Sequence, residues 1–121
     1  MKCARGDYKN LDVWKRSIVL IKMVYPIALR LPAIERYAMA DQIRRAATSI
    51  ALNIAEGYTR QSDNELCHFL SIARGSAAEV EAQLLICIEL EYITKEEAAD
   101  VLTVCDEVKR KLYHFMMRIR G

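Results

Sequence analysis

Residues 42–60 read QIRRAATSIALNIAEGYTR, and the fold is decided here. Ile43, Ala47, Ile50 and Ile54 recur at three- and four-residue spacing, the apolar stripe of a helix. Gln42, Arg45, Ser49, Asn53, Glu56 and Arg60 recur at the same spacing on another side, within roughly a quarter of the circumference at ~100° per residue. A solvated face usually carries interchangeable Lys and Glu. This one carries amides, a hydroxyl and Arg, which suit fixed hydrogen bonds. The stretch therefore predicts packing and assembly more than catalysis.

Outward from it, three further helices complete an all-α reading, at 11–30, 63–91 and 95–119, the stretch itself lying in one at 35–58. Asn10 or Asp12 is the expected N-cap of the first, and Pro26 is expected to kink it or thin its ladder. Ser62-Asp63-Asn64-Glu65 and Thr94-Lys95-Glu96-Glu97 fit capping boxes at the starts of the third and fourth. Leu66, Phe69, Leu70, Ala73, Ala77, Val80, Leu84, Cys87 and Ile88 form a near-heptad seam in the third, and the fourth carries Val101, Leu102, Cys105, Val108, Leu112, Phe115 and Ile119. The connections are short, so neighbours are antiparallel. The reading is a single-domain, up-down-up-down antiparallel four-helix bundle over residues 1–121.

Two details predict assembly. The first helix carries two apolar stripes, one at Trp14, Ile18, Ile21, Tyr25 and Ala28, the other at Val13, Leu20, Val24, Ile27 and Leu31. A corner helix buries one, and the stripe at Val13, Leu20, Val24, Ile27 and Leu31 is read as an oligomer interface. Gly75, in Ala73-Arg74-Gly75-Ser76-Ala77-Ala78, costs up to ~1 kcal/mol against Ala in mid-helix, which suggests a close backbone approach, either by the second helix within the bundle or by a neighbouring subunit.

At 121 residues, 28% charged and 53% hydrophobic, the chain is neither disordered nor membrane-like. The net charge of +2 is segregated: +6 over residues 1–60, −9 over 61–108 and +5 over 109–121. Either this makes a basic surface, or basic and acidic helices neutralise each other across the bundle. Cys3, Cys67, Cys87 and Cys105 have no metal or redox spacing; Cys87 and Cys105 lie on apolar stripes. No cofactor is implied. No signal-peptide pattern or ~20-residue apolar span is visible, which predicts a cytoplasmic protein without membrane contact.

The segments LDVWKRS (11–17), VYPIALRLP (24–32), ERYAMADQIRRAATSIALNIAEGYTR (35–60) and NELCHFLSIARGSAAEVEAQLL (64–85) resemble the bacterial four helix bundle proteins. That family was first noticed in intervening sequences of large-subunit ribosomal RNA genes. Its members are similar to the accessory protein of diversity-generating retroelements, a homopentameric barrel that works with a reverse transcriptase and nucleic acid. The resemblance implies a homopentamer here, with RNA or DNA and a reverse transcriptase as candidate partners. Pro26 departs from the family pattern, and the +2 charge departs from the strongly basic retroelement accessory.

Two readings of the polar residues stay open. In one, Arg44 or Arg45 pairs with Glu56, Glu79 or Glu81 in a structural network with Asn53, Ser76 and Gln83. In the other, these arginines face phosphate. The C-terminal cations Lys109, Arg110, Lys111, Arg118 and Arg120, with Lys15, Lys22 and Arg60 behind them, form the candidate nucleic-acid surface. The alternative is that cations near a helix C-terminus favour the dipole and stay solvated. Aromatic residues for stacking bases are sparse, so binding would be electrostatic. No metal or nucleophile motif supports an enzyme. A ribonuclease of the HEPN type needs Arg, four to six residues, then His; Arg110 and His114 are separated by only three.

Overall fold

The computed structural model describes residues 6–121; Cys3 lies outside them. Four antiparallel helices form the bundle: α1 (Asp12–Arg30), α2 (Met39–Tyr58), α3 (Asp63–Glu89) and α4 (Lys95–Arg120). Each packs on its chain neighbours, and α4 closes the square on α1. Side chains such as Leu20, Ile43, Ile50, Leu70, Val80 and Leu112 are wholly buried in one central core. Each contributes about 1.5–3 kcal/mol of transfer free energy.

Helix ends follow the cap chemistry only in part. The Thr94 hydroxyl accepts from Glu97 N, and the Glu97 carboxylate accepts from Thr94 N, a complete capping box. Ser62 supplies its half of the other, accepting from Glu65 N at 3.0 Å. Neither Asn10 nor Asp12 caps α1: the N-cap is Leu11, without a side-chain bond, and Asp12 sits in the first turn. The second helix starts at Met39 rather than 35, because Ala33–Glu35 tightens into a 3-10 turn after Pro32. Glu35 then reaches forward to accept from Met39 N and also accepts from the Tyr92 hydroxyl at 2.8 Å. One carboxylate thus ties the α1–α2 connection to the α3–α4 connection. The α1 helix continues through Pro26, whose ring is exposed. Water can serve the carbonyl that the imino acid leaves unbonded.

The stripe read as an oligomer interface faces the chain's own core. Val13, Leu20, Val24, Ile27 and Leu31 are between 0% and 8% exposed. Trp14, Ile18 and Ile21 are half-buried beside it, and Tyr25 is exposed. Ser17 lies among the buried residues because its hydroxyl donates to the Trp14 carbonyl at 2.6 Å, so its helix already satisfies it. Which of two apolar stripes turns inward depends on where α2 and α4 sit, and spacing alone cannot rank them.

Cys67, Cys87 and Cys105 are free and buried. The Cys105 thiol donates to the Ala77 carbonyl at 3.1 Å, where α4 rides over the alanines of α3. Burial pushes this thiol up to about 11, so it stays protonated in the folded chain.

The two helical glycines, Gly57 in the last turn of α2 and Gly75 in the middle of α3, have opposite surroundings. A Cβ at Gly57 would lie 2.7 Å from Phe69 Cβ and 3.3 Å from the Leu66 carbonyl oxygen, whereas nothing lies within 4 Å of one at Gly75. Gly75 therefore serves no close approach inside the chain. Gly57→Ala should destabilise by about 1–2 kcal/mol, overpacking outweighing the helix propensity of Ala. Gly75→Ala should stabilise the folded chain by up to ~1 kcal/mol. Urea denaturation of both variants checks the opposite signs.

Candidate nucleic-acid interface

Segregated charge along the chain becomes paired charge across the bundle. Arg16 meets Glu107 at 2.7 Å, Arg30 meets Glu97 at 2.8 Å and Lys111 meets Asp12 at 2.6 Å, all between α1 and α4. Lys109 meets Glu81 at 2.7 Å between α4 and α3. These pairs are partly exposed, worth about 0–1 kcal/mol each. Their larger effect is on register, since each links one position on one helix to one on its antiparallel neighbour.

Of the ten cations proposed for nucleic-acid contact, six hold carboxylates of this chain: Arg44, Arg45, Arg60, Lys109, Arg110 and Lys111. Arg44 and Arg45 both turn to Asp41, one turn back on α2, at 3.6 and 3.1 Å. Arg60 holds Glu56 at 2.6 Å and lies over the Phe69 ring. Arg110 holds Asp106 at 3.0 Å. Arg118 lies over the Phe115 ring, while Lys15, Lys22 and Arg120 are exposed without an ion pair among the described residues.

The polar network forms around a different residue from the one expected. Ser49 is its centre: its hydroxyl meets that of Ser76 at 2.9 Å, and Asn53 Nδ2 donates to the Ser49 hydroxyl and carbonyl. Arg45, Glu56, Glu79 and Gln83 do not join it. Arg45 and Glu56 have partners four residues away in sequence, Asp41 on the same helix and Arg60 just past its end. Glu79 is exposed, and Gln83 is buried with its Oε1 unbonded. The serine pair is small enough to sit between close helices, where an Arg–carboxylate pair would wedge them apart.

A concave surface with cationic walls lies where α1 begins and α4 ends. A pocket of about 340 Å³ opens between Leu11 and Asp12 on one side and Lys111, His114, Phe115 and Arg118 on the other. The last four share one face of α4 by their spacing, so the sequence carried the signal; His114 was weighed only as a catalytic base. The Lys111 ammonium beside Asp12 holds its carboxyl below the ordinary value of 3.8. Arg110, the other residue of the ribonuclease comparison, is engaged with Asp106. Among the described residues, no group of three His, Cys, Asp or Glu side chains is arranged to hold a metal ion. No helix among the described residues is long and apolar enough to cross a membrane.

Fold and surface together define a small antiparallel four-helix bundle. The chain belongs to the 23S rRNA-intervening sequence protein family, whose profile matches residues 9–114. It is similar to a crystal structure of a protein of unknown function from the S23 ribosomal protein family of Bacteroides thetaiotaomicron. That likeness has a TM-score of 0.77 and 28% identity, covering 86% of this chain and 97% of that one. No curated protein matches.

Because the folded Asp12 value is depressed, its pairing stabilises the chain above the ordinary value and is lost as pH falls through the folded one. Asp12→Asn should lower the urea midpoint slightly at neutral pH. The difference from wild type should shrink as pH falls below 3.8 and vanish once it is below the folded value, which a midpoint series against pH reads directly.

Proposed function

We propose that this chain is a non-catalytic accessory protein of the cytoplasm, assembled as a homopentamer, that holds RNA or DNA by electrostatic contact beside a partner protein. One observation carries the nucleic-acid part: the cationic pocket at the end of α4, with Lys111, His114 and Arg118 on one face and Arg120 beyond it. A backbone phosphate fits such a surface by charge. A reverse transcriptase is the partner suggested by the resemblance to retroelement accessory proteins. The assembly part draws support from exposed apolar side chains that no helix of this chain covers, among them Leu29 at 79%, Ile34 at 84% and Tyr37 at 86%.

A rival reading has its own support. Six candidate cations already hold carboxylates of the chain, as expected of a protein-interaction module without nucleic-acid affinity. Filter binding to structured RNA and to DNA over a salt series separates the two. Binding should be firm at about 50 mM salt and fall steeply by about 200 mM. Arg118→Ala with Arg120→Ala should weaken it equally across sequences and flatten the salt slope. Absence of binding at about 50 mM overturns the nucleic-acid reading. Light scattering should give five times the chain mass of 13.9 kDa.

A further inference from the structure

We propose that copies of this chain join through opposite corners of the bundle, the outer ridge of α1 in one copy lying on the outer ridge of α3 in the next. Lys15 and Lys22 then meet Glu79 and Glu89. The inference rests on the self-association proposed above and names its surfaces.

The outer ridge of α1 carries Lys15, Lys22 and Leu29 at seven-residue spacing, with Ile18 and Tyr25 beside them. Leu29 is 79% and Tyr25 39% exposed. The outer ridge of α3 carries Ile72, Glu79 and Ile86 at the same spacing, with Gly75, Ala82 and Glu89 beside them. Ile72 is 40% and Ile86 45% exposed. Seven-residue spacing runs almost along a helix axis, so each ridge can follow a second helix for several turns. Gly75 finds its use here: nothing in the chain lies within 4 Å of a Cβ at that position, leaving room for an approaching helix.

The charges match in sign and in height. Lys15, Lys22, Glu79 and Glu89 are exposed and make no ion pair among the described residues, while Arg16, Lys109 and Lys111 on neighbouring faces do. Helices α1 and α3 stand at diagonal corners without contact between them, and they run in the same direction. Lys109 on α4 meets Glu81, and Lys111 meets Asp12, so Asp12 lies about level with Glu79. Lys15 is then about level with Ala82, and Lys22 with Glu89. A neighbour turned about an axis parallel to the bundle keeps these heights. Lys22 meets Glu89, and Lys15 reaches Glu79 across about one turn, ~5 Å. Because the ridges are different surfaces on opposite corners, the contact repeats from copy to copy and can close a ring.

Light scattering over a dilution series tests this with four proteins: wild type, Lys15→Glu/Lys22→Glu, Glu79→Lys/Glu89→Lys, and the quadruple exchange. Each double variant places like charges across every interface and should raise the concentration at half assembly at least about tenfold. The quadruple variant restores opposite charges and should return it to within about threefold of wild type. All four positions are exposed, so helical circular dichroism should be unchanged. A monomeric wild type overturns this inference together with the self-association reading. A wild type that assembles, with double variants that assemble equally well, overturns this inference alone. So does loss of assembly that the quadruple variant fails to restore.

Discussion

Helices α2 and α3 can cross where they do only because position 57 has no side chain. The crossing leaves 2.7 Å between a Cβ there and Phe69 Cβ, less than two carbons tolerate. Further up the same seam, the Ser49 and Ser76 hydroxyls meet at 2.9 Å, which holds the two backbones close and fixes their register. The rest of the bundle is placed from this pair. The α4 helix settles over Ala73 and Ala77 closely enough for the Cys105 thiol to reach a backbone carbonyl. The α1 helix is held to α4 by ion pairs along its length rather than by a second close backbone approach.

This hierarchy explains the charge pattern. A chain whose successive segments carry +6, −9 and +5 suggests large fields of one sign. Antiparallel packing brings four opposite-charge pairs together at the α1–α4 and α3–α4 seams, and other cations turn to carboxylates three or four residues away in sequence. Among the described charges without an ion pair, two lysines stand on one outer ridge and two glutamates on the opposite one.

Much of the fold was legible because helix periodicity, cap chemistry and short connections are local properties. The Thr94–Glu97 box and the burial of Cys87 and Cys105 follow from spacing alone. The site was less legible. A network was expected around Arg45 and Glu56, yet both found partners four residues away, Asp41 on α2 and Arg60 just beyond its end. Ser49 stood in the sequence on the polar face but carries no charge to draw notice, and only the facing Ser76 makes it a centre. The two stripes of α1 were likewise equal in sequence, and the one assigned outward turned inward.

The sequence by itself determined the number of helices, their order, most of their ends and the family, because each depends on residues within a turn or two of one another. Only the tertiary structure decided which face of α1 is core, which cations are already neutralised, and which glycine is a packing requirement. Those three depend on distances between residues far apart in the chain, and periodicity along a helix carries no information about what stands opposite.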